Sequence, residues 1–197
     1  MNAKKVLKNI DGFTIVEMLV AVFVFTIVMI ISVGAILSIL NANRKTQSTQ
    51  LITDNVDFAV ESMVRTLRTG MSYHCDFTVV TPLRTEPNNC LGGATSIVFE
   101  QAKGDISDPN DNYVYRLNTA TNQIERSIDS GVTFIPITAS NVEITGLTFY
   151  VTSSISTDKE QPRILITVQG RAGGANVKSS SVFNLQTLVT QRLPDIP

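Results

Sequence analysis

One carboxylate, that of Glu17, lies just inside a long apolar stretch of the chain. The 23 residues from Met18 to Leu40 carry no formal charge, and about 20 apolar residues in a helix cross the roughly 30 Å hydrocarbon core of a bilayer. Placing a charge near the centre of a bilayer costs at least ~2.5 kcal/mol, and less near its surface, so an ionisable residue here is expected to have a partner. The position of Glu17 therefore indicates a function in charge pairing.

The residues ahead of this stretch differ from an ordinary secretory signal. Three lysines, Lys4, Lys5 and Lys8, form a basic leader that ends at the pair Gly12-Phe13. A secretory signal peptide carries its cleavage site after the apolar segment, beside small residues. No clear site of that kind follows the apolar run, so the candidate processing site is the Gly12-Phe13 junction in front of it.

The junction, Glu17 and the apolar helix together resemble the N-terminus of the type IV pilin and pseudopilin family. In that family a short basic leader ends in Gly, and the mature chain begins with Phe and carries Glu at its fifth position. Phe13 would be the first mature residue here and Glu17 the fifth. The resemblance implies cleavage between Gly12 and Phe13 by a membrane prepilin peptidase, N-methylation of Phe13, and packing of the helix with those of other subunits in a filament.

After such processing, Glu17 would have two candidate amine partners. One is the amine of Phe13 in its own chain, and the other, which the family resemblance implies, is the Phe13 amine of a neighbouring subunit. A charge pair is tolerable in hydrocarbon whereas an unpaired charge is not, so pairing between subunits would set an axial register. The alternative is an interfacial Glu17 whose side chain reaches the lipid head groups.

The whole chain predicts an α+β, pilin-like fold in four segments. Residues 1–12 are the cleaved leader, 13–40 the transmembrane and filament-core half of a long helix, 41–69 its amphipathic half, and 70–197 an extracytoplasmic β-rich domain. In the amphipathic half, apolar residues recur at steps of three and four, and Gly70 follows as a candidate helix C-cap. The apolar stripe consists of Leu51, Ile52, Val56, Ala59, Val60, Met63, Val64 and Leu67.

Beyond residue 70 the apolar pattern changes to a period of two, which is typical of strands. Clusters of Pro, Asn, Asp and Gly separate the segments, and Tyr113–Ile128 is predicted to form a hairpin. We therefore expect one antiparallel sheet that curls against the outer half of the helix. The predicted strands are Phe77–Val80, Ser96–Gln101, Tyr113–Asn118, Gln123–Ile128, Thr133–Thr138, Val142–Thr152, Arg163–Gly170 and Val177–Val189.

Cys75 and Cys90 are the two cysteines of the chain. In an extracytoplasmic compartment, two cysteines at this separation indicate a disulfide that closes a loop, and two buried free thiols are the alternative. His74, Cys75 and Asp76 also have the residue types of a catalytic or zinc site. Adjacent residues of an extended chain point to alternate faces, however, and His74 with the two cysteines is too small a ligand set for zinc, so we predict neither.

An acidic and amide-rich stretch between residues 105 and 112 offers oxygen ligands for Ca²⁺. It lacks the ligand spacing and the bidentate Glu of an EF-hand loop, so a solvated turn is the preferred interpretation and a calcium site the alternative. The chain has no Gly-rich phosphate loop, nucleophile elbow or paired-carboxylate motif. We predict that the protein is not an enzyme and uses no metal or cofactor. The residues of the stretch are Asp105, Asp108, Asn110, Asp111 and Asn112.

The distribution of charge predicts the orientation of the chain in the membrane, and the net charge argues against nucleic acid as a ligand. The net charge is −1, and removal of residues 1–12 leaves 13 basic against 16 acidic residues, or −3, which does not predict nucleic acid binding. The leader lysines favour a cytoplasmic N-terminus, despite Arg44 and Lys45 beyond the span. We expect a single-pass protein of the cytoplasmic (inner) membrane whose C-terminal domain lies outside, and which later enters a filament.

The length of the chain and its last described pattern, at Val182–Arg192, indicate which members of the family it resembles most. The main repeating subunits of the family tend to be shorter, and Val182–Arg192 looks like the end of larger minor pilins and of J-type minor pseudopilins of type II secretion. The resemblance implies a structural subunit that helps to initiate or cap a type IV pilus or a type II secretion pseudopilus. A filament-tip module that contacts DNA, a surface or a secreted substrate is the alternative. The missing catalytic motifs oppose a third hypothesis, a membrane-anchored enzyme.

Overall fold

The computed structural model describes residues 12–76, 87–105, 108–155, 160–172 and 181–192, without the side chains of Ser48, Leu51, Ala172 and Ser181. The chain divides between Arg44 and Lys45 into two units. The strand predicted at residues 77–80 and the first four residues of the last predicted strand lie outside the described residues. The four-segment division of the chain stays a prediction.

The described residues form one α-helix and nine β-strands. Helix α1 covers Ile15–Thr69. The strands pair antiparallel in two sheets, with the orders β1-β3-β4-β5-β6 and β2-β7-β8-β9. The strands are β1 (Met71–Cys75), β2 (Cys90–Ala94), β3 (Ser96–Glu100), β4 (Tyr113–Asn118), β5 (Gln123–Ser127), β6 (Ile135–Pro136), β7 (Val142–Thr152), β8 (Arg163–Ala172) and β9 (Ser181–Thr190).

The predicted α+β architecture, a long N-terminal helix with antiparallel strands, is confirmed, but there are two sheets where we expected one. The chain changes sheets between β2 and β3, which are separated by Thr95 alone. Gly93 has a φ of 79°, and the β2–β7 register shifts between Cys90 and Ala94. Such a bulge bends a strand and lets the chain turn a corner between sheets. Because β2 contains two glycines, its composition did not predict a strand.

The predicted hairpin over Tyr113–Ile128 is confirmed, and the structure gives its register. Asn118 of β4 lies opposite Gln123 of β5, so the connection consists of the four residues Thr119–Asn122. Asn122 has a φ of 53°, in the left-handed region that Asn tolerates better than most residues. Asn118 Oδ1 accepts a hydrogen bond from the N–H of Ala120 at 2.9 Å and so closes the turn locally.

The core of the second unit lies between α1 and the two sheets. Of the predicted helical stripe, the structure buries Ile52, Val56, Ala59, Val60, Met63 and Leu67, and Val64 is partly buried. Residues from both sheets complete the same cluster, among them Phe99 and Tyr115 of the first and Phe149 and Ile166 of the second. Charged residues of this half lie off the stripe and are exposed: Asp54, Asp57, Glu61, Arg65 and Arg68.

Helix α1 ends against the sheets through specific hydrogen bonds to its last carbonyl groups. The hydroxyl of Tyr73 lies 2.5 Å from the Leu67 oxygen and 2.7 Å from the Gly70 oxygen, and the N–H of Arg192 donates to the Arg68 oxygen at 2.7 Å. These contacts satisfy carbonyl groups that a helix end otherwise leaves without partners. Gly70 follows the helix as predicted, but φ there is not positive; a Cβ at this position would instead overlap the Phe99 ring.

Candidate functional site

Thr14 caps the N-terminus of α1 in front of the predicted assembly residue. Its side-chain Oγ1 accepts a hydrogen bond from the N–H of Glu17 at 3.2 Å, and its carbonyl accepts one from the N–H of Met18 at 3.2 Å. Thr14 and Glu17 thus stand in the Thr-x-x-Glu order of a capping box. This spacing is visible in the sequence and would have identified the cap, which sequence reasoning missed.

Glu17 occupies the first turn of α1, where the partial positive charge of the helix N-terminus stabilises a carboxylate. Its side chain is exposed within the described residues. The local fold therefore stabilises the charge of Glu17 weakly and leaves the carboxylate available to an amine from outside the helix. Which amine it pairs with stays a prediction.

The predicted processing junction lies just before the helix. Gly12 and Phe13 are both exposed and non-helical, and 79% of Phe13 is accessible. Among the described residues, nothing lies within 4 Å of the position that a Cβ would take on Gly12. A peptidase needs an accessible bond, and this exposed, non-helical junction supplies one. Cleavage and N-methylation at this junction stay predictions.

Apolar side chains cover all sides of α1 in the first unit. Those from Phe13 to Leu40 that are large and exposed range from 42% accessible at Ile27 to 81% at Ile15. An 18-residue window of α1 has a mean hydropathy of 2.9 with none of its residues buried, so the helix is long and apolar enough to cross a membrane. A surface of this kind needs lipid or other apolar helices around it.

Two uncharged polar side chains of this apolar segment, those of Thr26 and Ser32, are satisfied within the helix itself. The Thr26 hydroxyl lies 2.9 Å from the Val22 oxygen and 2.8 Å from the Phe23 oxygen, and the Ser32 hydroxyl donates to the Val28 oxygen at 2.8 Å. Such bonds remove the need for water at these positions. Glu17 is left as the one formally charged side chain between residues 13 and 40.

Cys75 and Cys90 are joined by a disulfide in the structure, with their Cα atoms 6.0 Å apart. The bond connects the end of β1 in one sheet to the start of β2 in the other. Hydrogen bonds tie the same region together: Asn88 N–H donates to the Tyr73 oxygen at 2.8 Å, and the Ser154 hydroxyl donates to that oxygen at 2.9 Å. The Cys75 sulfur is therefore not a free thiol beside His74.

The acidic stretch folds into turns held by its own side chains. Asp108 Oδ1 accepts hydrogen bonds from the backbone and side-chain nitrogens of Asn110, at 2.9 and 3.0 Å, and Asp111 Oδ2 accepts one from the N–H of Asp105 at 3.0 Å. The side-chain nitrogen of Asn112 donates to the Pro109 oxygen at 3.4 Å. Within the described ranges, no three His, Cys, Asp or Glu residues are grouped so as to hold a metal ion.

Glu100, which sequence reasoning missed, is a buried carboxyl group next to this stretch, only 2% accessible. Its Oε1 accepts a hydrogen bond from the N–H of Gln101 at 3.1 Å. Burial, and then the neighbouring charge of Asp111, raise the pKa of Glu100 to about 7, although the Gln101 N–H acts in the opposite direction. Glu100 ends a strand of ordinary composition, so no sequence signal marks it as buried.

The raised pKa predicts that protonation of Glu100 stabilises the second unit. Because the pKa in the folded state, about 7, exceeds the usual Glu value of about 4.3, the folded state binds this proton more tightly than the unfolded state. The stabilisation is complete below that lower value and is lost as the pH rises through about 7. Glu100→Gln should remove this part of the pH dependence, measured by urea unfolding of residues 45–197 between pH 4 and pH 8.

The matched control is Glu61→Gln, which changes an exposed carboxyl group on α1. It should leave the pH dependence as in the wild type. An equal loss of stability with rising pH in Glu100→Gln and in the wild type would contradict the argument.

The disulfide is predicted to form in the exported protein. Mass mapping under non-reducing conditions should recover linked peptides that contain Cys75 and Cys90. Replacement of both by Ala should lower the free energy of unfolding by about 3 kcal/mol, because the unfolded chain regains the entropy of a loop of about 15 residues. Two thiols that react with an alkylating agent in native mature protein would show that the bridge is absent.

Comparison with known proteins supplies an independent observation at the N-terminus. A family model for the prokaryotic N-terminal methylation motif matches residues 7–33, which include the basic leader's last lysine, the Gly12-Phe13 junction, Glu17 and the start of the apolar helix. No curated protein and no solved structure matches the chain significantly. The chain carries the prepilin-type N-terminal methylation motif, followed by a long helix and antiparallel sheets, and this supports its assignment to the type IV pilin and pseudopilin family.

Proposed function

We propose that the protein is a minor pilin or pseudopilin subunit that helps to initiate or cap a type IV pilus or a type II secretion pseudopilus. In this proposal it inserts in the cytoplasmic membrane, and a prepilin peptidase cleaves it before Phe13 and methylates the new N-terminus. One observation carries the proposal: a methylation motif opens a helix whose apolar side chains are exposed on every side.

The exposed apolar surface requires two successive environments in this function. Before assembly, lipid covers residues 13–40, because a helix of this length and hydropathy spans the hydrocarbon core. In the filament, the corresponding helices of other subunits replace the lipid. The second unit has its own core, so it remains folded through both stages.

Glu17 makes the exchange between these environments selective. A carboxylate near the edge of the apolar segment is tolerated beside lipid head groups but needs an amine once other helices surround it. The methylated Phe13 amine of a neighbouring subunit supplies that positive charge, and each subunit then neutralises the next. The pairing opposes axial slippage, since a displaced helix leaves both charges unpaired in an apolar environment.

The minor role and the lack of catalytic activity are parts of the same proposal. At 197 residues the chain is larger than is usual for the main repeating subunits that it resembles. The acidic balance of the mature chain does not favour a DNA-binding tip, and the Cys75 sulfur lies in a disulfide. We therefore assign the second unit a structural function at the filament.

Processing is predicted to depend on Gly12. Gly12→Glu should leave the precursor uncleaved but inserted, because the side chain occupies space at the junction while the apolar segment is unchanged. Mass spectrometry of protein extracted from membranes should find N-methyl-Phe13 as the first residue in the wild type and Met1 in the variant. Asn9→Glu, which adds the same charge within the leader, is the control and should be cleaved; an intact wild-type leader in cells with active peptidase would contradict the prediction.

Assembly is predicted to depend on Glu17. Glu17→Leu should preserve insertion, cleavage and the fold of the second unit, but mature protein should accumulate in the membrane because the neighbour's amine has lost its partner. The amount of Glu17→Leu protein that co-purifies with other filament subunits after cross-linking should be at least about tenfold below that of the wild type. This is the change expected for a lost interaction of about 1.4 kcal/mol.

The control for this experiment is Thr26→Val, which removes a polar group from the same apolar segment. Its hydroxyl is bonded only to carbonyl groups of its own helix in the structure, so co-purification should be as in the wild type. Equal recovery of Glu17→Leu and wild type would show that the carboxylate does not control assembly.

A further inference from the structure

The hydroxyl group of Thr14 lies at the beginning of α1. Its Oγ1 accepts a hydrogen bond from the N–H of Glu17 at 3.2 Å, and the Thr14 carbonyl accepts one from the N–H of Met18 at 3.2 Å. The second bond is of the helical type, whereas the first one ends on a side chain. Thr14 therefore has the hydrogen bonds of an N-cap residue, and the helix begins at Ile15.

The N–H of Glu17 would have a different acceptor if the helix were longer. In an α-helix each N–H bonds to the carbonyl four residues earlier, so a helix extended toward the leader would join Glu17 to Phe13 and Val16 to Gly12. The Thr14 hydroxyl instead binds the first of these two donors. Its hydrogen bond thus competes directly with extension of the helix across the Gly12-Phe13 junction.

The Gly12 carbonyl is the group that cleavage at this junction attacks. In that hydrolysis water adds to the Gly12 carbonyl carbon and the bond to the Phe13 nitrogen breaks, which leaves a carboxylate on Gly12 and an amine on Phe13. A carbonyl inside a helical turn has its oxygen bonded to the chain's own N–H. In the structure Gly12 and Phe13 are non-helical and exposed. The match to the methylation motif, over residues 7–33, independently indicates processing in this part of the chain.

Two opposing preferences set the balance between the shorter and the longer helix. Gly12 disfavours extension, because glycine is a poor residue in a helix interior. Asp11 favours it in the sequence, since Asp is among the best N-cap residues and a helix capped there would include Gly12 and Phe13 in its first turn. Thr14 adds a cap to the shorter helix, so its side chain can decide between the two.

We propose that Thr14 is a positioning residue for processing: by capping α1 it holds the Gly12-Phe13 bond outside the helix, within reach of the prepilin peptidase. This rests on the proposed function, in which that peptidase cleaves before Phe13. Thr14 acts through the backbone conformation of the two residues ahead of it and not on the reacting atoms. Its effect therefore precedes that of Glu17, whose carboxylate acts during assembly in the proposed function.

A series of substitutions at Thr14 separates capping from recognition of the side chain's shape. Thr14→Val keeps nearly the shape of threonine but lacks an acceptor. Thr14→Ser and Thr14→Asn change the size or shape of the side chain, and both retain an oxygen that caps helices well. If the peptidase recognised the threonine side chain itself, Thr14→Val would be the best substrate of the three. If Thr14 acts as a cap, Thr14→Val should be the worst.

Cleavage is measured by pulse-chase labelling of the full-length precursor in cells with active peptidase. We expect Thr14→Ser and Thr14→Asn to be processed within about twofold of the wild-type rate, because both side chains cap the helix. Thr14→Val should be processed about three- to fivefold more slowly, since fivefold is the population change that a cap of about 1 kcal/mol produces. The matched control is Thr26→Val, the same change at a hydroxyl bonded to carbonyls of its own helix, and it should be cleaved as the wild type is.

A second measurement observes the junction itself and needs no peptidase. Gly12-Phe13 is the one Gly-Phe pair in the sequence, so a precursor with isotope labels at the glycine carbonyl carbons and the phenylalanine nitrogens gives a single NMR signal from this peptide bond. In detergent micelles the Gly12 carbonyl shift of Thr14→Val should move toward the value typical of helices. Thr14→Asn should keep the wild-type shift, because its side chain restores the cap.

Two results would overturn the proposal. One is processing of Thr14→Val at the wild-type rate, or processing of Thr14→Ser and Thr14→Asn as slow as that of Thr14→Val. The other is a Gly12 carbonyl shift that is the same in Thr14→Val and in the wild type. An intact leader on the wild-type protein would instead contradict the proposed function, and the NMR comparison would still test the cap, so the two failures are distinguishable.

Discussion

The side chains of Ile52, Val56, Met63 and Leu67 lie under two sheets at once, and the second unit depends on this contact. Each fully buried side chain of this size stabilises the fold by about 1.5–3 kcal/mol relative to its exposed state. Both sheets contribute apolar side chains to one core that they share with the helix. The helix end is then held in place by Tyr73 and Arg192, which donate hydrogen bonds to its last carbonyl groups.

In the first unit of the chain, the apolar surface of α1 needs a different environment. There the apolar side chains cover every face, so no single sheet could bury them, and a bilayer or a bundle of similar helices is needed. Thr14 accepts a hydrogen bond from an N–H group at the start of the helix. The hydroxyl groups of Thr26 and Ser32 donate to carbonyl groups of the same helix. Glu17 carries the one formal charge between residues 13 and 40, and its pairing with an amine of another subunit is part of the proposal.

The second unit joins its sheets through polar and covalent contacts as well as through the core. The Cys75–Cys90 bond connects β1 to β2 and so links one sheet to the other. Two long-range hydrogen bonds hold the helix to the strands and their connections: Thr66 Oγ1 with the hydroxyl of Tyr115 in β4 at 2.8 Å, and Asn55 Oδ1 with the N–H of Ala139, between β6 and β7, at 2.9 Å. Glu100, in contrast, does not stabilise the unit when it is charged, because burial of a charged carboxyl group is unfavourable.

Local patterns in the sequence determined the features that depend on neighbouring residues. The apolar run, the Gly12-Phe13 junction and Glu17 were sufficient to predict a long apolar helix that begins with the N-terminal methylation motif, and the steps of three and four predicted the buried stripe. The hairpin over Tyr113–Ile128 was predicted from two neighbouring segments with the pattern of strands. Each of these features depends on residues within a few positions of one another, so their periodicity and spacing are visible in the chain itself.

Only the tertiary structure decided which strands share a sheet and which side chains become buried by distant contacts. The division into two sheets depends on β2 pairing with β7, more than 50 residues away in the chain, with Cys90 opposite Val151. Glu100 is buried by residues that the fold brings together, and β9 is an edge only because no further described strand lies beside it. Pairing energy between strands differs little from one apolar partner to another, so these choices are made by the packing of the whole core and not by the sequence of any one strand.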